Sequence, residues 1–217
     1  TVIDGVLKDH SGGHITTNES RDLLKSLKDY LEQSESIEFY LGVSYRHLLV
    51  LRGTKYSDKI LCTPPHDAIN TGIDSILIKA VDESGKSTAE MLNKIIMDSY
   101  KILQNHIVNL ARIKSEKNPA NMMWPWGQGR RPNLRSLKES FGVKGAVISA
   151  VNIVNGIGRY LEMGVIKVPG ATGYYDTNYE GKADYALKSL NDYDLVLVHV
   201  EAPDEASHVG DINLKVK

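Results

Sequence analysis

Asp204 and His208 are the residues of this 217-residue chain whose types and spacing most directly suggest chemistry. They lie four apart, just beyond the apolar run 193–200 and Pro203, and proline favours a first helical position because its missing amide proton is not needed there. At i and i+4 on a helix, a carboxylate and an imidazole stack on one face and can converge on one divalent ion. Spacing alone leaves open a cap or a simple pair. Cationic side chains upstream suggest anion binding. Arg46 and Arg52 are six apart on a strand-like stretch, which puts them on one face, and a guanidinium fork matches two carboxylate or phosphate oxygens. The alternative is that they only solvate an exposed face. In Gln128-Gly-Arg130-Arg131-Pro the glycine lets the backbone approach an anion and two guanidiniums follow, with nothing to separate one from the other. Trp124 and Trp126, in a proline-rich stretch, read as packing anchors.

The elements that must position these residues fall into two textures. Residues 1–134 mix helices with short strands. A helix over 19–31 carries Leu23, Leu24, Leu27 and Leu31 at helical spacing, with Asn18 as its cap, and 37–45 with 46–52 reads as a hairpin. A long helix is expected over 86–113, with Ile95, Ile96, Ile102, Leu103, Ile107 and Leu110 on its apolar face and Ser84 or Ser87 as its cap. Pro64-Pro65-His66-Asp67 reads as a turn. Asp9-His10-Ser11-Gly12-Gly13-His14 reads as a connection from a strand to the first helix. From about residue 142 the pattern becomes strand 145–150, helix 151–161, strand 165–168, helix 180–190 and strand 193–200, which predicts a parallel sheet with helices on its faces. Ligands of such sheets sit beyond the carboxyl ends of the strands, where 201–208 falls. Gly156-Ile-Gly158 within a helix signals close packing and lacks the glycine pattern of a dinucleotide loop.

Composition narrows the field. With 26 basic and 27 acidic side chains and 41% hydrophobic residues, the chain can bury a core and carries almost no net field, which disfavours nucleic acid as a partner. No run approaches a membrane span and the first residues resemble no signal peptide, so no membrane partner is expected. The single Cys62 excludes an internal disulfide framework and fits a reducing, cytoplasmic setting.

Six segments share the order of motifs of one known family: Ser44-Tyr-Arg-His-Leu-Leu-Val-Leu-Arg-Gly53, Trp124-Pro-Trp-Gly-Gln-Gly-Arg-Arg-Pro132, Lys144-Gly-Ala-Val-Ile-Ser-Ala-Val151, Val168-Pro-Gly-Ala-Thr-Gly-Tyr174, Asp176-Thr-Asn-Tyr-Glu-Gly-Lys182 and Glu201-Ala-Pro-Asp-Glu-Ala-Ser-His-Val-Gly-Asp211. The chain resembles the archaeal-type, cofactor-independent phosphoglycerate mutases of the alkaline phosphatase superfamily. The resemblance implies an α/β fold: part of an alkaline-phosphatase-like parallel sheet with helices on both faces (135–217), interrupted by an inserted α+β substrate-binding lid (1–134). It implies interconversion of 3-phosphoglycerate and 2-phosphoglycerate through a phosphoserine, with two manganese or magnesium ions and no 2,3-bisphosphoglycerate. Asp204 and His208 would hold one ion. Lys144, Arg130 and Arg131 would act near the migrating phosphate, and Arg46, Arg52, Gln128 and His66 would bind substrate. The nucleophilic serine and the remaining ligands would lie outside this chain, which reads as an internal portion of such an enzyme. The family has arginines where His10 and His14 stand, which leaves a substrate role for these two in doubt. A related metal-dependent phosphotransferase or phosphohydrolase, or an isolated anion-binding fragment without catalysis, are the alternatives.

Overall fold

The computed structural model describes residues 1–31, 36–208 and 210–216, with the side chains of Asp29 and His208 outside the described set. The chain divides into two compact units, Thr1–Arg130 and Arg131–Lys217.

In the first unit, β1 (Val2–Ile3) pairs with β2 (Val6–Leu7), and the loop after β2 leads into α1 (Thr17–Leu31). Thr16, not Asn18, starts this helix. Thr16 N and Oγ1 donate to Glu19 Oε2 at 2.9 and 2.8 Å, and Glu19 N donates back to Thr16 Oγ1 at 3.3 Å, a reciprocal box that satisfies amides at the helix start. Asn18 instead accepts from Arg21. The hairpin forms with shorter strands than its sequence suggests: β3 (Ile37–Tyr40) pairs antiparallel with β4 (Leu48–Leu51). β5 (Ile60–Leu61) precedes a 3₁₀ turn (Pro65–Ala68), α2 (Ile73–Ile76) and β6 (Lys79–Ala80), which pairs back with β5.

The expected long helix is two helices. α3 (Lys86–Leu103) follows a 3₁₀ turn capped by Asp82, and the chain breaks before α4 (Ile107–Lys114), whose first turn is capped by the His106 imidazole accepting from Val108 N. The break rotates α4 so that Asn109 and Arg112 are buried while Ile107, Leu110 and Ile113 face solvent. Asn109 makes this stable: its amide donates to Leu103 O (2.8 Å) and Ala120 O (3.0 Å) and accepts from Ala120 N (2.9 Å), so the carbonyl freed at the end of α3 has a partner. α1 packs on α3 through Leu23, Leu27, Leu31, Ile95 and Leu103, and the other side of α3 packs Leu92 and Ile96 on Ile60 and Ile78. Cys62 is buried in that second cluster, where burial pushes its thiol pKa up.

In the second unit α5 (Leu137–Phe141), with a Ser136–Glu139 capping box, precedes β7 (Gly145–Ile148), α6 (Asn152–Tyr160), β8 (Gly164–Ile166), α7 (Tyr179–Ser189), β9 (Leu195–Val198), α8 (Ala202–His208) and α9 (Ile212–Val216). The strands are parallel in the order β8-β7-β9, and central β7 is buried throughout. Going from β7 to β8 and then back past β7 to β9 reverses direction, so right-handed crossovers carry α6 and α7 on opposite faces. Gly158 lets α6 approach the sheet: a Cβ there would lie 2.5 Å from Val147 Cγ1. Gly156 has no such neighbour.

Candidate functional site

In the sheet of the second unit α6 follows β7 on one face and α7 leads into β9 on the other, and ligands of such sheets gather beyond the carboxyl ends of the strands. Register puts Ile148 opposite Val198, so the next residues, Ser149 and His199, meet there. Ser149 Oγ lies 3.2 Å from His199 Nδ1, and His199 Nε2 lies 3.1 Å from Glu201 Oε2. Ser149 Oγ also accepts from Val151 N (2.9 Å), and Ser149 O accepts from Asn155 Nδ2 (3.0 Å). Beneath this corner Lys182 is 2% exposed and donates from Nζ to His199 O at 3.1 Å; burial lowers its pKa. Ser149, Lys182, His199 and Glu201 are not marked by residue type or spacing in the sequence; the ends of two apolar strands in a parallel pair are the signal that points to Ser149 and His199.

α8 issues directly from this corner, its start tied by Asp204 N donating to Glu201 O at 2.9 Å. Asp204 and His208 both stand on α8 at i and i+4, with Asp204 exposed; the His208 side chain lies outside the described residues. Among the described residues no group of three or more His, Cys, Asp or Glu side chains is arranged around one point. One carboxylate and one imidazole suit a divalent ion such as manganese or magnesium as part of a ligand set, and a full set of four to six donors requires others. A buried acceptor with no partner, Asn155 Oδ1, marks the same end of the sheet.

Lys144 sits elsewhere. It precedes β7 at the amino end of the sheet, where its backbone pairs with Asp194 and its ammonium lies 4.9 Å from the Tyr193 ring centroid. A four-residue strand spans about 13 Å, so Lys144 stands at the opposite end of β7 from Ser149.

In the first unit, four segments far apart in sequence bring rings together. His10 packs edge-on against Tyr45 (centroids 5.8 Å) and His66 (6.0 Å), and His66 packs against Trp126 (5.2 Å). Arg46 lies over the Tyr45 ring at 4.9 Å and donates to its hydroxyl at 3.0 Å. His10, Arg46, His66 and Trp126 are exposed, and no carboxylate among the described residues pairs with Arg46. The result is a surface of imidazoles and a guanidinium on aromatic supports, chemistry suited to an anion. Of these, sequence reasoning selected Arg46 and His66; His10 and Trp126 had been set aside and Tyr45 missed.

The remaining arginines are placed differently from the expectation. Arg46 and Arg52 do not share a strand face: β4 ends at Leu51, and Arg46 belongs to the hairpin loop. Arg52 forks onto the Glu38 carboxylate, which Arg52 and Tyr40 together hold at about 2. Residues 127–132 form an extended segment in which Gln128 Nε2 donates to Ile60 O at 2.8 Å. Arg130 forks onto Asp58, with both contacts at 2.9 Å, and Arg131, in the second unit, lies 5.9 Å from the Tyr160 ring centroid. Such exposed pairs are weakened by solvent screening, so a more highly charged anion can displace them.

The Asp9 loop is structural. Asp9 accepts from Ser11 N, Ser11 Oγ and Gly13 N, each at 2.7 Å, and from Asn118 Nδ2 at 3.0 Å. Burial pushes its pKa up, but these bonds outweigh it and hold the carboxyl far below its ordinary value.

Residues 1–109 match the family described as 2,3-bisphosphoglycerate-independent phosphoglycerate mutase. Among curated relatives, the 2,3-bisphosphoglycerate-independent phosphoglycerate mutases of Methanosarcina acetivorans and Methanosarcina mazei are 46% and 47% identical over all 217 residues, covering 53% of each relative. The chain thus spans about half the length of these relatives. Among solved structures, a cofactor-independent phosphoglycerate mutase from Thermoplasma acidophilum superposes with a TM-score of 0.62 at 30% identity, covering 92% of this chain and 52% of that one. A Pyrococcus horikoshii protein shares the fold with a TM-score of 0.70 at 23% identity, over 97% of this chain and 49% of that one. The α/β fold with its parallel sheet is therefore that of the alkaline-phosphatase-like mutases, and the chain belongs to the 2,3-bisphosphoglycerate-independent phosphoglycerate mutase family.

Proposed function

We propose that this protein takes part in metal-dependent interconversion of 3-phosphoglycerate and 2-phosphoglycerate, in glycolysis and gluconeogenesis, through a phosphoserine whose serine lies outside these residues. The observation that carries the reading is the emergence of α8, with Asp204 and His208 at i and i+4, directly from the carboxyl end of β9. Family membership supports it.

In this reading the first unit, residues 1–134 by function, is a lid that binds the substrate's carboxylate and phosphate. Arg46 and His66 on the ring surface are its central groups. Arg52, Gln128, Arg130 and Arg131 serve as further donors once the exposed pairs at Glu38 and Asp58 yield. The second unit holds, through Asp204 and His208, part of the ligand set for two divalent ions, which when bound supply charge stabilisation for phosphoryl transfer. The chain's own groups orient: the ring surface binds the anion, and the β9–α8 corner fixes the ligand helix. No bisphosphoglycerate is required, and the setting is cytoplasmic.

In the complete protein, Asp204→Asn or His208→Ala is expected to abolish turnover with the far-UV spectrum preserved, and Arg46→Ala to raise the KM for phosphoglycerate roughly tenfold to a hundredfold. A near-normal rate in either ligand variant with metal still bound would contradict the assignment.

A further inference from the structure

His199 is engaged at every polar group it has. Its backbone N donates to Ile148 O at 2.8 Å, extending the β7–β9 ladder one residue beyond the strand, and its carbonyl accepts from the buried Lys182 ammonium at 3.1 Å. Its ring bridges Ser149 at 3.2 Å and Glu201 at 3.1 Å. Ser149 Oγ accepts from Val151 N, and its hydroxyl proton lies within reach of both His199 Nδ1 (3.2 Å) and Val151 O (3.4 Å), while Nε2 faces the Glu201 carboxylate at 3.1 Å.

A residue that only closed a strand would need none of the side-chain bonds. Taking the Lys182 ammonium out of water costs several kcal/mol, and an apolar side chain could fill that space. What these four bonds jointly fix is the path from β9 into α8: Glu201, the ring's second partner, accepts the Asp204 amide at the start of the helix.

We propose that His199 is a positioning residue for the metal-ligand helix, clamped by Ser149, Glu201 and Lys182 so that α8 leaves the sheet in one orientation. The inference rests on the reading of Asp204 and His208 as ligands. His199 acts through the corner and does not itself touch the ion.

The test is Mn²⁺ affinity of the complete protein, measured by electron paramagnetic resonance of the free ion at fixed pH, beside thermal unfolding without metal. His199→Ala is expected to weaken Mn²⁺ binding ten- to a hundredfold, the range for outer partners of metal ligands. Ser149→Ala, which removes one contact and leaves the backbone bonds in place, is expected to weaken it severalfold with little change in metal-free unfolding. His199→Asn, which can still reach Ser149, should recover part of the loss. Wild-type affinity in Ser149→Ala and in a folded His199→Ala, even with a lowered midpoint, would reduce His199 to a structural role and overturn the proposal. Asp204→Asn separates the two levels: if it too leaves Mn²⁺ affinity unchanged, the ligand reading itself fails and the positioning role falls with it.

Discussion

Arg112 is 4% exposed, yet every contact it makes is polar: Nε donates to Asn118 O at 2.9 Å, Nη1 meets Glu19 Oε1 at 2.9 Å, and Nη2 donates to Gly12 O and Gly13 O at 2.8 Å each. It ties the Asp9 loop to α1 and α4, and Gly13, with φ of +66°, brings its backbone so close that a Cβ would stand 2.7 Å from the guanidinium. Arg112→Leu is expected to destabilise the first unit by about 3–5 kcal/mol in denaturant unfolding, since it strands Glu19 and several carbonyls; a loss under about 1 kcal/mol would show that the loop has other support. Two carboxyls here also set an acid response. Asp9 titrates far below 3.8; for Glu19, burial raises the pKa, but bonds from Thr16 and Arg112 outweigh it and take it from 4.5 to about 2. Both folded values are depressed, so their stabilisation is complete above the unfolded values and is lost as pH falls through the folded ones. The thermal midpoint of the first unit should therefore fall from pH 4.5 towards 2, and Glu19→Gln should flatten that slope. A midpoint unchanged to pH 2 would contradict it. None of this network was legible from residue types, because a continuous helix over 86–113 puts Ile107 and Leu110 inside, whereas the break before α4 buries Arg112 in their place.

At the scale of elements, strand-helix alternation after residue 142 was legible because β7, β8 and β9 are apolar runs separated by segments of helical periodicity, the second of them capped by Asn178. The strands proved shorter at their carboxyl ends, where Ser149 and His199 turn their side chains to each other just beyond the last paired residues. The α3–α4 break was hidden because Leu103 and Ile107 keep a helical spacing of four across it. The ring surface was hidden for another reason: His10, Tyr45, His66 and Trp126 come from four separate segments, and only the folded hairpin and loops join them. Close approach of α6 to β7 is the feature that fixes the sheet's face, and it depends on Gly158. Gly158→Ala is expected to cost about 1–3 kcal/mol through overpacking on Val147, while Gly156→Ala, with open space around it, should be neutral or slightly stabilising. Equal effects at both positions would show that the clash relaxes away.

For the whole molecule, the near-neutral net charge gives little long-range field, and among the described residues no helix is long and apolar enough to cross a membrane. The two compact units differ in texture, one built of short antiparallel pairs and one of parallel strands. Family and fold were legible because six separated motifs kept their order; the working parts of each site were not, because they depend on register and loop packing. The decisive measurement is manganese-dependent conversion of 3-phosphoglycerate to 2-phosphoglycerate by the complete protein with no 2,3-bisphosphoglycerate added. Conversion that stops on chelation and returns with manganese is the expected result; release of free phosphate in place of 2-phosphoglycerate, or conversion indifferent to the chelator, would contradict the mutase reading.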